Sequence, residues 1–274
     1  MKWPRKVILV RHGESEFNRV KEQQRKDPEY QRFVKLFEQE FNLDKFQRHW
    51  PYVKASKELR GLAVKMYRKY FLPYSNRLTP LTDTGWLQAE RLGRTLKILP
   101  DARLPDVILV SPYLRTKQTL EGMTRGWPEL AGIKQETEPL IREIDIGLAG
   151  LYNNWRVMET FHPEQRYIYL RDGKYDYCYP QGENVLGVEG RMRLLSGKLI
   201  REFSEREVLL VSHHITITAF ISTQERWESQ DFTRKDDENP IKNCSYTIFV
   251  GDPEQGESGE GKLMLQTLNA LPCS

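Results

Sequence analysis

The sequence predicts a three-layer α/β/α fold: a doubly wound, mostly parallel sheet that carries a helical insertion. Two observations predict it. Three runs, Lys6-Val7-Ile8-Leu9-Val10, Asp106-Val107-Ile108-Leu109-Val110 and Glu207-Val208-Leu209-Leu210-Val211, repeat one pattern of a charge followed by four apolar residues. Such runs read as strands buried on both faces, and each leads into a helix-like segment, the rhythm of a parallel sheet. The chain also has 274 residues, 39% of them hydrophobic and 11% aromatic, enough for a large core and against wholesale disorder.

The elements follow in order. After the first strand, Asp27-Pro28 makes a good helix start, and Tyr30, Phe33, Val34, Phe37 and Phe41 keep helical spacing behind it. Leu59, Leu62, Ala63, Met66, Tyr67 and Tyr70 mark a second amphipathic helix. Both stripes read as packing surfaces. Residues 19–77 are therefore taken as a helical insertion or cap within one domain spanning 1–274. A helix from about Thr84 to Leu96 leads to the second strand, and Val185 to Phe203 reads as another helix. Tyr246-Thr247-Ile248-Phe249-Val250 and Lys262-Leu263-Met264-Leu265 read as a terminal hairpin joined by a polar loop from Asp252 to Gly261.

Composition excludes several classes. No apolar run approaches the roughly 20 residues that span a bilayer, and the first residues do not read as a secretory leader. Cys178, Cys244 and Cys273 are widely spaced and indicate neither a zinc knuckle nor a disulfide framework, so a cytoplasmic location is the default. The net charge is +4, but residues 19–77 hold 15 Lys and Arg against 7 Asp and Glu. A basic stretch on a mildly acidic body suits an anionic partner such as a phosphorylated small molecule. Its aromatic residues fall on helical stripes, which argues for core and against nucleic acid. Oligomeric state has no signature in the sequence.

In doubly wound sheets ligands sit beyond the carboxyl ends of the strands. The residues there are Arg11-His12-Gly13, Ser111-Pro112 with Arg115 in the following helix, and Ser212-His213-His214. Imidazole is a good nucleophile toward phosphorus, and arginine presents donors that match phosphate oxygens. Each triplet alone reads equally well as a surface strand end. Their convergence on one sheet edge from positions some 200 residues apart favours a site.

Longer motifs carry a resemblance. Arg11-His12-Gly13-Glu14-Ser15-Glu16-Phe17-Asn18, Leu81-Thr82-Asp83-Thr84-Gly85 with Gln88-Ala89, Ser111 to Thr119, Ile141 to Gly147, Tyr179-Pro180-Gln181-Gly182-Glu183-Asn184 and Val211-Ser212-His213 occur in one order. In that order the chain resembles the histidine phosphatase superfamily, with its phosphoglycerate-mutase-like fold. The resemblance implies that His12 accepts the phosphoryl group, that Arg11, Arg115 and His213 surround it, and that Asn18 contacts phosphate or substrate. It implies that Glu143 donates the proton to the leaving oxygen and then activates water, and that Glu183 supports the pocket edge. His214 stands where the family usually has glycine and is expected beside the phosphate.

What the resemblance implies for function is a metal-independent phosphomonoesterase of the histidine acid phosphatase kind, acting on a phosphorylated small molecule. No metal and no cofactor is expected, since cationic side chains can do the task that a metal ion does in other phosphoryl-transfer enzymes. The acidic loop, Glu143-Ile144-Asp145-Ile146-Gly147-Leu148-Ala149-Gly150, looks like the phosphatase version. A cofactor-dependent phosphoglycerate-type mutase is the alternative within the family. A non-catalytic phosphate- or nucleic-acid-binding protein is the alternative outside it.

Overall fold

Three parallel strands form the centre of the sheet. In a computed structural model, which describes residues 2–255 and 261–273, β1 (Lys6–Arg11), β2 (Val107–Val110), β3 (Gln135–Thr137), β4 (Glu207–Ser212), β5 (Tyr246–Asp252) and β6 (Lys262–Ala270) join in the order β3-β2-β4-β1-β5-β6. β1, β2, β3 and β4 pair in parallel, and β5 and β6 continue the sheet antiparallel. The hairpin strands thus form as predicted, and β6 runs five residues further than the apolar pattern suggested. Of the expected Asp252–Gly261 loop, residues 256–260 lie outside the described residues.

The helices, in chain order, are α1 (Glu16–Lys26), α2 (Pro28–Glu40), α3 (Leu43–His49), α4 (Lys57–Lys69), α5 (Asp83–Lys97), α6 (Leu114–Gly126), α7 (Trp155–Phe161), α8 (Pro163–Asp176), α9 (Val185–Glu202), α10 (His214–Glu225) and α11 (Ser229–Glu238). The chain divides into two compact units. One comprises Met1–Glu16, Arg77–Glu143 and Gly187–Ser274, and the other Phe17–Asn76 and Ile144–Leu186.

The first unit holds the sheet. Strand side chains alternate between faces. Ile8, Val10, Ile108, Val110, Leu209 and Val211 pack with Ala89, Leu92 and Leu96 of α5 and with Leu120 and Met123 of α6. The alternate set, Val7, Leu9, Val107, Leu109, Val208 and Leu210, is equally buried. On that face Phe220 of α10 meets Phe249, the register partner of Val7, with ring centroids 5.5 Å apart. Helices on both faces give the predicted three layers. Among the described residues no helix is long and apolar enough to cross a membrane.

The second unit is helical. Phe33, Phe37, Phe41, Phe46, Leu59, Ala63 and Met66 are buried in one cluster with Val157, so both stripes read from the sequence are packing surfaces. Residues 144–186, with α7 and α8, complete this cluster together with the 17–76 stretch. Asp27 caps α2 by accepting from Glu29 N at 3.0 Å and also accepts from the Tyr70 hydroxyl at 2.6 Å. The Tyr70 hydrogen bond, followed by that of Lys69, pulls the Asp27 carboxyl down to about 2.

One close approach aligns the loop after β1. Thr82 caps α5 by accepting from Gly85 N at 3.1 Å, while its own N–H donates to Glu14 O at 2.9 Å. A Cβ at Gly85 would lie 2.1 Å from Glu14 O, which only a glycine avoids. Gly85→Ala is expected to destabilise the sheet unit by about 1–3 kcal/mol, the usual span for overpacking. Gly61→Ala, inside α4 with nothing within 4 Å of the added atom, is expected to stabilise the helical unit by about 0.5–1 kcal/mol. Thermal and urea unfolding of the two variants checks the opposite signs.

Candidate functional site

The loop after β1 is held by backbone bonds. His12 N donates to Ser212 O at 3.0 Å, Gly13 N to Thr119 Oγ1 at 3.0 Å and Glu14 N to Gln88 Oε1 at 2.8 Å. Leu81 N donates to Gln118 Oε1 at 2.8 Å, and Asn243 Nδ2 to His12 O at 3.0 Å. Thr82 and Gln88 of the first motif and Gln118 and Thr119 of the second are therefore scaffolding for this turn and the Leu81 segment beside it. Thr116 instead ties the loop after β2 to the start of α6, with its hydroxyl shared between Ser111 O at 2.9 Å and Tyr113 O at 2.6 Å.

The turn presents His12 to the other strand ends. Arg115 Nε donates to His12 Nε2 at 3.1 Å. His12 Nδ1 lies 2.7 Å from Gly13 O. A guanidinium N–H can only donate and a carbonyl can only accept. The imidazole proton is therefore on Nδ1, and Nε2 keeps its lone pair. The His213 ring sits edge-on to His12 with centroids 5.2 Å apart, and its Nε2 is 2.7 Å from Ser111 Oγ. Tyr113 flanks both His213, at 5.0 Å, and the Arg115 guanidinium, at 4.8 Å.

Among the described residues two buried polar atoms here have no partner: His213 Nδ1 and Arg11 Nε. A buried donor left unsatisfied costs about 1–3 kcal/mol. An anion's oxygen atoms would satisfy Arg11 Nε, and would satisfy His213 Nδ1 in the tautomer whose Nε2 accepts from Ser111 Oγ. Arg11 is anchored at its other end, on Ile241 O.

The electrostatics follow from burial and like charge. His12 and His213 are 4% and 0% exposed. Burial first, then Arg115 and Arg11, holds His12 well below the ordinary imidazole range; burial, Arg115 and His12 do the same to His213. Burial lowers Arg115 to about 10, still cationic at neutrality, and Glu143 is the main opposing influence on it. Glu143 likewise opposes the lowering of Arg11. Its backbone neighbourhood is pinned from β4, α9 and α10. Ser212 Oγ donates to Ile141 O at 2.9 Å, Arg191 to Arg142 O at 3.1 Å, and Thr216 Oγ1 to Arg142 O at 2.7 Å.

The sheet unit thus gathers Arg11, His12, Arg115, Glu143, His213 and His214 in one place. His214 opens α10, and its Nε2 lies 2.7 Å from Asp236 Oδ1 on α11. Asn18 and Glu183 belong to the helical unit. Asn18 lies in α1, and Glu183 Oε2 accepts from Asp145 N at 3.2 Å while its own N–H donates to Asp145 O at 2.8 Å. Glu183 thereby braces the acidic loop. His49 is exposed, and His162 pairs with the Tyr152 hydroxyl at 3.0 Å. Asp236 and Asn243 carry no signal in the sequence. Asp236 sits in the charged run Lys235-Asp236-Asp237-Glu238, which reads as a solvated helix face. Among the described residues no group of three or more His, Cys, Asp or Glu side chains is arranged to hold a metal ion.

Both imidazoles are neutral in the fold and titrate freely when unfolded, so unfolding takes up protons below about pH 6.5. Their contribution is present above that pH and is lost as pH falls. Denaturant unfolding between pH 6.5 and 5 is expected to lose stability with a slope approaching about 1.4 kcal/mol per pH unit for each histidine. His12→Gln is expected to remove one histidine's share of that slope.

The sequence model described as histidine phosphatase superfamily (branch 1) matches residues 75–259. The Arg11-His12-Gly13 turn lies before the matched stretch. Two phosphoglycerate mutase-like proteins of Arabidopsis thaliana are similar: one is 27% identical over 199 residues, the other 29% over 169. The alignments cover 66% and 56% of this chain, and 66% and 51% of the relatives' own lengths. Among solved structures, a mycobacterial glucosyl-3-phosphoglycerate phosphatase is similar with a TM-score of 0.60 and 17% identity, covering 97% of this chain and 99% of that one. The alpha-ribazole phosphatase of Shigella flexneri is similar with a TM-score of 0.60 and 16% identity, covering 98% and 99%. At these identities the structural likeness speaks for the fold.

Proposed function

This chain belongs to the histidine phosphatase superfamily, branch 1, and from that premise we propose that it is a phosphoryl-transfer enzyme that hydrolyses phosphomonoesters through a phosphohistidine on His12. The observation that carries this proposal is the His12 tautomer. Nδ1–H rests on Gly13 O and the Nε2 lone pair faces Arg115 in a buried, cationic place. A nucleophile needs that free pair, and the low imidazole pKa keeps it free at neutral and mildly acid pH.

The steps are these. A phosphoryl dianion enters, and Arg115 moves its Nε donor from His12 Nε2 to a phosphoryl oxygen. Arg11 Nε and His213 Nδ1 find acceptors in the other oxygens, with Ser111 Oγ–H donating to His213 Nε2. His12 Nε2 attacks phosphorus in line, the ester P–O bond breaks, and the leaving oxygen takes a proton from Glu143. Water then attacks the phosphohistidine and gives its proton to the Glu143 carboxylate. The P–N bond breaks and inorganic phosphate leaves. Positive groups that do not move at the moment of transfer stabilise the charge on the equatorial oxygens. In this proposal Arg11, Arg115 and His213 supply that field with no metal. The basic charge of the 19–77 stretch suits anionic substrates.

Mutase activity is the second reading, favoured by the names of the Arabidopsis relatives. Hydrolysis is preferred because the residues after Glu143 in the acidic loop, Ile144 to Gly150, include no basic side chain to grip the far end of a bisphosphate. Labelled phosphoenzyme that passes its phosphoryl group to phosphoglycerate instead of water is the mutase outcome.

An acid-labile phosphoenzyme is expected on the wild type, in the presence of EDTA, and is expected to be absent from His12→Ala. Undiminished labelling of that variant overturns the nucleophile. Glu143→Gln is expected to lower kcat for an alkyl phosphate by roughly 10²–10⁴-fold. With p-nitrophenyl phosphate, whose leaving group needs no proton, the same variant is expected to give a burst and then a slow steady state. Equal slowing of both substrates with no burst identifies Glu143 as structural.

A further inference from the structure

One aromatic ring lies against two of the groups gathered around His12. The Arg115 guanidinium carbon sits over the Tyr113 ring, 4.8 Å from its centre. The same ring meets His213 edge-on, with centroids 5.0 Å apart and planes at 65°. His213 in turn meets His12 at 5.2 Å, and Arg115 Nε donates to His12 Nε2 at 3.1 Å. Tyr113 is buried and stands on a fixed base. It holds the N-cap position of α6 in an extended conformation, and its carbonyl accepts from Thr116 N at 3.2 Å and Thr116 Oγ1 at 2.6 Å.

An aromatic face and a carboxylate hold an arginine in different ways. A carboxylate accepts from the N–H groups and offsets the positive charge. A ring face attracts the guanidinium through its quadrupole and leaves the N–H groups, which lie in the guanidinium plane, free to point elsewhere. In the proposed reaction Arg115 must turn a donor from His12 Nε2 to a phosphoryl oxygen. The stacking contact persists through that exchange, and it restricts the rotamers that a long side chain would otherwise sample. His213 is steadied from two sides, by the Tyr113 ring and by Ser111 Oγ at 2.7 Å from its Nε2, which leaves Nδ1 as the atom with no partner among the described residues.

We propose that Tyr113 is a positioning residue of the phosphoryl site, whose ring holds the Arg115 guanidinium and the His213 imidazole in place while Arg115 exchanges His12 for a phosphoryl oxygen. The role belongs to the ring and not to the hydroxyl. It acts through Arg115 and His213, without contact between Tyr113 and the reacting atoms. The inference rests on the phosphoryl-transfer function proposed above.

Tungstate, a tetrahedral dianion like the phosphoryl group, is the probe. Its binding to the full chain is measured by isothermal titration at neutral pH, beside kcat and KM for p-nitrophenyl phosphate. Tyr113→Leu is expected to weaken tungstate binding roughly 3–30-fold, the span of a buried cation–π contact, and to lower kcat/KM by a similar factor. Tyr113→Phe, which keeps the ring, is expected to recover most of that loss. A double-mutant cycle separates positioning from a general loosening of the fold. In an Arg115→Lys background the side chain keeps its charge but has no planar group to lay on the ring, and there Tyr113→Leu is expected to cost less than about 2-fold. Equal costs in the two backgrounds, or a Tyr113→Phe protein as weak as Tyr113→Leu, overturn the proposal. So does a Tyr113→Leu protein that binds tungstate as the wild type does. If Tyr113→Leu does not fold, Tyr113→Met, with its adaptable side chain, replaces it in every arm. Failure of tungstate to bind wild type, or equal binding to Arg115→Ala, overturns the phosphoryl site itself, a result distinct from an Arg115-dependent site that is indifferent to Tyr113.

Discussion

Parallel pairing sets Val10 beside Val211 and Val211 beside Val110, so that β1, β4 and β2 end at one level. That register is the constraint on which the site depends. A parallel ladder aims all its carboxyl ends the same way, and the first residues past it are His12, His213 and Ser111. A slip of one residue would turn each of these side chains to the opposite face of its strand. The α5 cap, Gly85, Gln88, Gln118 and Thr119 then hold the backbone of the β1 turn. The chemistry is displayed on a turn with almost no freedom left.

The second organising factor is an excess of positive charge in a buried place. Arg115 is 5% exposed and Arg11 is anchored beneath it on Ile241 O. The Glu143 carboxylate tempers both, and Asp236 tempers Arg11 as well. Burial and the same charges keep His12 and His213 neutral, and the result is an imidazole lone pair on His12 beside two buried polar atoms that have no partner among the described residues. Cys244, whose N–H donates to Arg11 O at 3.2 Å, is no competing nucleophile, since burial pushes its thiol up to about 12. In the proposed reaction this buried positive charge stands in place before the phosphoryl group arrives, as electrostatic stabilisation of a transferring anion requires.

The helical unit obeys a different logic. Its core is aromatic, with Phe37, Phe41 and Phe46 in contact and Tyr167 stacked on Phe46 at 5.3 Å. Large flat side chains let short helices bury much area per residue. The basic residues of 19–77 occupy the outward positions left between those stripes. In the same unit Gly147 and Gly182 allow the acidic loop and the Tyr179–Glu183 turn to touch, since a Cβ at Gly147 would lie 2.1 Å from Pro180 O.

The sequence by itself determined the parallel core, the strand ends and the amphipathic helices, because burial on two faces and helical periodicity are written in neighbouring residues. It also identified Arg11, His12, Arg115, His213 and His214 as a group, since the strand-end rule needs only the strands. Glu143 was legible only through a motif, as a lone acid in a loop has no local signature. The pairing of residues 144–186 with 17–76 came from tertiary packing, for α7 contributes a single buried valine, Val157, to that core and shows no strong stripe. Asp236 was hidden because a carboxylate in a charged helical run looks solvated until the fold places it against a histidine from another helix. The His12 tautomer, the neutrality of both imidazoles and the unsatisfied Arg11 Nε and His213 Nδ1 were decided by tertiary structure alone. They depend on distances of a few ångströms and on exclusion of water, and neither is a property of a residue's neighbours in the chain.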